Sequence, residues 1–190
     1  MNPIKKKYQD LSRIQALAWL KENDNNHKKW NLFLLTQIGF FYLKNKNYKK
    51  AIKKFNTCLY RLNKAWRNEQ MDPRGLNGYY LESINLQKTY FFRGLAFALS
   101  GDFDKSDRDY SKLILTEAPL DYLYFLDFSR AVLKKDSELA IRNYLKSKKY
   151  SPRILEFEED LFNLLPIENI ENLNESIKLI DFSLGIVRKK

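Results

Sequence analysis

One histidine and one cysteine are all the nitrogen and sulfur nucleophile chemistry that this chain of 190 residues can draw on outside its lysines and arginines. His27 lies in the polar run Asn23 to Lys29 and reads as a solvated loop residue, with no nearby group to make it a general base. Cys58 has no second cysteine to pair with, and two such residues are too few for a Cys/His zinc site. The carboxylate pairs Asp102/Asp104 and Asp107/Asp109 suggest Ca2+ at first sight. They lack the spaced glycine and the terminal bidentate glutamate that an EF-hand loop needs. Glu158, Glu159 and Asp160 read as a solvated helix face, and not as paired catalytic acids. No Gly-rich phosphate loop, His-Glu-x-x-His or Gly-x-Ser-x-Gly occurs. The expectation is a protein that is not an enzyme and carries no metal or cofactor.

Charge is the stronger signal. Residues 1–150 hold 29 Lys and Arg against 15 Asp and Glu, a net +14, whereas residues 151–187 hold two against eight, a net −6. From Asn25 to Asn68 there are eleven basic residues and no acidic one. Within that stretch Lys46, Lys49, Lys50, Lys53 and Arg61 can avoid the helical face carrying Ala51, Phe55 and Leu59, and so form a basic face. Its partner would be an acidic protein, RNA or an anionic membrane surface. A solvated face is the plain alternative. Aromatics make up 15% of the chain, but no stacking module such as the RNA-recognition signature accompanies them.

These residues must be carried by helices. Six glycines and five prolines are few breakers for this length, and no segment shows sustained alternation. Apolar spacing predicts helices over about 5–22, then from Trp30 to Tyr42 and from Tyr48 to Leu62. Met71 to Tyr79, with Asp-Pro and two glycines, reads as a loop. Further helices are expected over 80–100, 103–117, 120–134, 136–149, 152–165 and 167–187, separated by Ser100-Gly101-Asp102 and by Pro119, Pro152 and Pro166. No apolar run approaches the roughly 20 residues that span a bilayer. The start MNPIKKK is like a signal n-region, but Asp10, Ser12, Arg13 and Gln15 interrupt the segment where an apolar h-region would lie. The chain is therefore expected to be cytoplasmic, the alternative being a module cut from a longer, anchored polypeptide.

The helices come in pairs, and segments 87–120 and 121–154 align without gaps, placing Tyr90 on Tyr124, Ser106 on Ala140 and Tyr110 on Tyr144. Ile38-Gly39-x2-Tyr42 and Ala51-x3-Phe55 form a first unit, and Arg93-Gly94-x2-Phe97, Ser106-x3-Tyr110 and Pro119 a second. In a third, Ala140-x3-Tyr144 fits, but Phe128 stands in the glycine place and Ala131 in the tyrosine place. This pattern resembles the tetratricopeptide repeat over about residues 32–153, with the third repeat degenerate and an insertion near 67–87. The resemblance implies an all-α fold in which antiparallel helix pairs stack as a short right-handed solenoid. Residues 1–30 would add an N-terminal helix and 154–190 capping helices, all within one domain. An irregular helical bundle is the alternative.

The resemblance also implies a function. The first helix of each pair would line a groove for a partner, here with Phe33, Thr36, Phe40 and Lys44, then Lys88, Phe91, Leu95 and Ala98, then Tyr122, Phe125 and Ser129. One subfamily clamps a C-terminal carboxylate with Lys and Asn side chains. Thr36 and Phe40 stand in those places, so apolar contact is expected instead. The expected role is a scaffold or adaptor binding another protein, acidic or apolar in its contact segment. A nucleic-acid-binding protein using the basic face of residues 44–67 is the alternative.

Overall fold

The computed structural model describes residues 32–68, 76–150 and 158–186, with side chains for 35–62, 86–149 and 160–186. Among these residues there are eight α-helices and no strand. They are α1 (Leu32–Lys44), α2 (Tyr48–Asn68), α3 (Leu76–Leu99), α4 (Phe103–Leu115), α5 (Leu120–Leu133), α6 (Ser137–Tyr150), α7 (Glu158–Phe162) and α8 (Leu173–Ser183), with a 3-10 turn at Ile167–Asn169. The chain forms two compact units, Met1–Phe92 and Arg93–Lys190, divided within α3. The expected N-terminal helix and His27 lie outside the described residues, as does most of the segment between α2 and α3.

Neighbouring helices pack in antiparallel hairpins, α1 on α2 and α5 on α6, with α4 against α5 and α8 against α6. The chain chemistry explains the pairing. α1, α3 and α5 are apolar around most of their circumference, while α2, α4 and α6 are rich in charge and keep one narrow buried stripe. That stripe carries a small residue with no exposure at the same place in each: Ala51, Ser106 and Ala140. It lets the pair approach closely, and a ring four residues further along the stripe, such as Phe55 or Tyr144, fills the space beyond.

One backbone turn closes α1, α3, α4, α5 and α8, and after α1, α3 and α5 the next residue also caps the following helix. After α1, α3 and α5 the chain passes through a residue of positive φ, Lys46 (57°), Gly101 (86°) and Lys135 (60°). The amides of that residue and of the next reach back to close the helix, as in Lys46 N–H to Leu43 O at 2.9 Å and Asn47 N–H to Tyr42 O at 2.9 Å. The next residue then caps the following helix: Asn47 Oδ1 accepts from Lys50 N–H at 3.2 Å, Asp102 Oδ1 from Lys105 N–H at 3.2 Å, and Asp136 Oδ1 from Leu139 N–H at 3.0 Å. The turns at 46, 101 and 135 are spaced 55 and then 34 residues apart, the offsets at which the repeat pattern aligns.

Some boundaries differ from expectation. α3 begins at Leu76, so the end of the expected loop, including Gly78, is helical. Glycine is cheap in a first turn, where the backbone amides have no intrahelical partner to lose. The expected helix 167–187 is broken by Asn172, whose left-handed φ of 61° separates the 3-10 turn from α8. Of the expected helix over 152–165, residues 152–157 lie outside the described residues, Glu158–Phe162 is helical as α7, and the helix has ended before Pro166.

Candidate interaction surface

Most of the expected groove residues are core side chains. Thr36 is buried in a polar knot that joins α1, α2 and α3: its Oγ1 lies 3.5 Å from Cys58 Sγ and 3.2 Å from Thr89 Oγ1, and Cys58 Sγ lies 3.5 Å from Thr89 Oγ1. Burial pushes the Cys58 thiol above its ordinary range, only partly offset by these hydrogen bonds. Phe40 is buried with its ring centroid 4.9 Å from that of Phe92, and Phe91 lies 5.3 Å from the same Phe92 ring. Leu95 and Ala98 are buried in the second unit. There too, Phe125 stands 5.7 Å from Phe128 and 5.6 Å from Phe162, and Ser129 donates to Phe125 O at 2.8 Å. The reason is hydropathy: helices apolar on both sides offer their aromatics to whichever neighbour arrives first. Lys44, Lys88 and Tyr122 stay partly exposed, with the Lys44 ammonium 5.8 Å above the Phe40 ring. Phe33 lies outside the described side chains.

The basic residues divide by helical position. Lys46, Lys49, Lys50 and Lys53 are exposed, Arg61 is half-buried and Lys54 is buried. Lys54 is one residue from Phe55 and shares its inward face, while Lys49 and Lys53 lie on the opposite side of α2. Neighbours three or four apart on a helix stand about 5–6 Å from each other, so Lys49, Lys50 and Lys53 cluster on α2, and Lys46 stands in the turn just before it. The Lys50 ammonium lies 5.5 Å from the centre of the Tyr42 ring, which holds one of these lysines against the hairpin. No carboxylate occurs anywhere on α1, the turn or α2 to offset this charge. Tyr60, further along α2, is 67% exposed. Sequence periodicity alone did not mark it, because it lies between buried Leu59 and half-buried Arg61.

The acidic pairs are absorbed by local structure. Asp102 caps α4 and accepts from Lys105 Nζ at 2.5 Å, and that hydrogen bond is the largest of the effects that lower its carboxyl below the usual range. Asp109 is buried and takes both Arg93 contacts, Nε at 2.8 Å and Nη2 at 2.5 Å. Burial raises its carboxyl, and the guanidinium opposes that rise. Asp107 pairs with Arg130, which also reaches Asp127 Oδ1 at 3.1 Å. The Tyr110 hydroxyl bonds to the Asp127 carboxylate; burial first, and then that carboxylate, push the phenol far above its ordinary range. These contacts fasten α4 to α3 and α5. Among the described residues no group of three or more His, Cys, Asp or Glu is placed to hold a metal, and no helix is long and apolar enough to cross a membrane.

The described residues thus make helical hairpins, with exposed lysines on α2 and in the turn before it. No family model, curated protein or solved structure matches the chain.

Proposed function

We propose that this chain is a non-catalytic adaptor of tetratricopeptide type that recruits an acidic protein to the lysine row Lys46, Lys49, Lys50 and Lys53. The row carries the reading: four exposed lysines, three on α2 and one in the turn before it, on a hairpin without a single carboxylate. Such a face costs self-repulsion, which an acidic partner relieves, and it raises the encounter rate more than the final affinity. The repeated turn at 46, 101 and 135 and the buried Ala51, Ser106 and Ala140 support the repeat class. Of the groove residues, Lys44 and Lys88 in the first unit, and separately Tyr122 in the second, keep the exposure that a further contact would need. A lone buried thiol suits the reducing setting of a cytoplasmic protein.

The test is capture from the source organism with the wild-type chain and with a Lys49→Glu, Lys50→Glu, Lys53→Glu variant as matched baits. An acidic protein enriched on the wild type and lost on the variant is the expected result. Equal recovery on both baits would sink the lysine row as the docking site.

A second reading has one observation of its own. Exposed Tyr60 lies two turns beyond Lys53, offering a ring on which a nucleic-acid base could stack beside a basic row. Fluorescence anisotropy with a labelled oligouridylate decides it: binding that weakens with salt and with Tyr60→Ala supports RNA, and no binding at low salt removes it.

A further inference from the structure

The lysine row has a counterpart in the same chain. Lys46, Lys49, Lys53, Thr57 and Tyr60 succeed one another at intervals of three, four, four and three residues. Glu168, Glu171, Glu175, Leu179 and Phe182 do so at the same intervals. In both stripes the charges come first and an aromatic comes last. Within the helices, Lys49, Lys53, Thr57 and Tyr60 share one face of α2, and Glu175, Leu179 and Phe182 share one face of α8, whereas Lys46, Glu168 and Glu171 stand in the preceding turns. The charged residues and the aromatic ends of both stripes are exposed, and Thr57 is half-buried. Lys46, Lys49 and Lys53 are exposed, as are Glu168, Glu171 and Glu175, while Leu179 is 67% and Phe182 86% exposed. The buried side of α8 is taken by Leu173, Ile177 and Asp181, whose carboxylate accepts from the buried Tyr144 hydroxyl of α6. The acidic stripe is therefore held outward and cannot turn in. Lys178, three residues from Glu175, shares this exposed side of α8.

We infer that the basic face on α2 receives the acidic segment Glu168 to Glu175 and the exposed Leu179 and Phe182 of a second copy. The two faces differ, so the contact is head-to-tail: each bound copy still offers one free face, and the assembly grows beyond a dimer unless a ring closes. Exposed ion pairs are individually weak, so the assembly is expected to be salt-sensitive and concentration-dependent. The inference rests on the lysine row being a docking face for acidic protein, and it makes self-association a competitor of the partner.

Sedimentation velocity on the full chain at rising concentration tests it. At low salt the average sedimentation coefficient should climb through dimer to larger species, and half-molar salt should weaken association on the order of tenfold, because screening shortens to a few ångströms. A Lys46→Glu, Lys49→Glu, Lys53→Glu variant and a Glu168→Lys, Glu171→Lys, Glu175→Lys variant should each stay monomeric alone and associate when mixed. Phe182→Asp, at a side chain with almost no packing to lose, gives the same reading if a triple variant fails to fold. A wild type that stays monomeric at every concentration overturns the inference, as does association that survives either reversal, or variants that do not restore each other. A labelled poly-glutamate peptide separates the two failures. Peptide bound by a wild type that never self-associates sinks the second copy and supports the adaptor reading; a chain that binds neither sinks both.

Discussion

At the scale of single residues, Gly39 is where one methyl group matters most. A Cβ placed there meets the Phe55 ring, with Cδ1 at 2.7 Å and Cζ at 2.8 Å, and Phe55 has no exposure through which to yield. Gly39→Ala should destabilise by about 1–3 kcal/mol as an overpacked contact. Gly94 is looser, with Leu126 Cδ2 at 3.1 Å, so Gly94→Ala should cost less. Urea midpoints of the two variants check the order, and an unchanged midpoint for Gly39→Ala would refute the packing. Ser106 is the reverse case. Its Oγ is buried without a hydrogen-bond partner among the described residues, at a place that holds alanine in the other two hairpins. Ser106→Ala should stabilise by about 1 kcal/mol, since it removes an uncompensated desolvation. Cys58 predicts a pH effect. Its folded-state pKa is raised, so the native thiol keeps its proton where the unfolded one loses it. Its contribution is therefore fully present below the unfolded pKa and declines as pH rises from there toward the folded value. Stability of the wild type should fall on the alkaline side, and Cys58→Ala should flatten the first part of that fall in denaturant titrations across pH.

At the scale of elements, the hairpin turn is the informative unit. Gly101 takes a φ of 86° at no steric cost, whereas Lys46 and Lys135 take 57° and 60° with a Cβ in place. Lys135→Gly should therefore raise stability by up to about 1 kcal/mol, and Gly101→Ala should lower it by a similar amount. Thermal melts of the two variants should move in opposite directions; shifts of the same sign would contradict the shared turn. The turn was half legible in sequence. Ser100-Gly101-Asp102 announced itself through glycine and a capping aspartate, but Lys44 to Asn47 read only as a polar run, because a lysine of positive φ leaves no compositional mark. Likewise Asn172 stops a helix that periodicity carries straight through, since Ile170, Leu173 and Ile177 keep helical spacing across it.

At the scale of the whole molecule, charge is distributed unevenly along the chain. Residues 1–150 carry +14 and residues 151–187 carry −6. If the lysine row steers an acidic partner, Lys49→Glu, Lys50→Glu, Lys53→Glu should slow association with the captured protein several-fold and flatten its salt dependence, while dissociation proceeds at nearly the original rate. Stopped-flow association at several salt concentrations separates steering from contact. A variant whose dissociation accelerates while its association is unchanged would place these lysines inside a tight interface instead.

Composition and periodicity by themselves determined the all-helical class, most helix spans between Leu32 and Tyr150, the small residues Ala51, Ser106 and Ala140, and the basic stretch. Each is set by local spacing or by a residue's own chemistry, which a linear chain displays. Only the tertiary structure decided which aromatics are core. Phe40, Phe91 and Phe125 sit on helices apolar on more than one side, and nothing within a helix tells which side a neighbour will cover. It also decided the fate of the carboxylates. Asp109 and Asp107 find their cations at Arg93 and Arg130, 16 and 23 residues away, so a pair that suggests an ion site in sequence is divided between two helix contacts in space. And it showed the face of α8, where Leu179 and Phe182 look like core residues by hydropathy but are left in solvent because Leu173, Ile177 and Asp181 take the inward side.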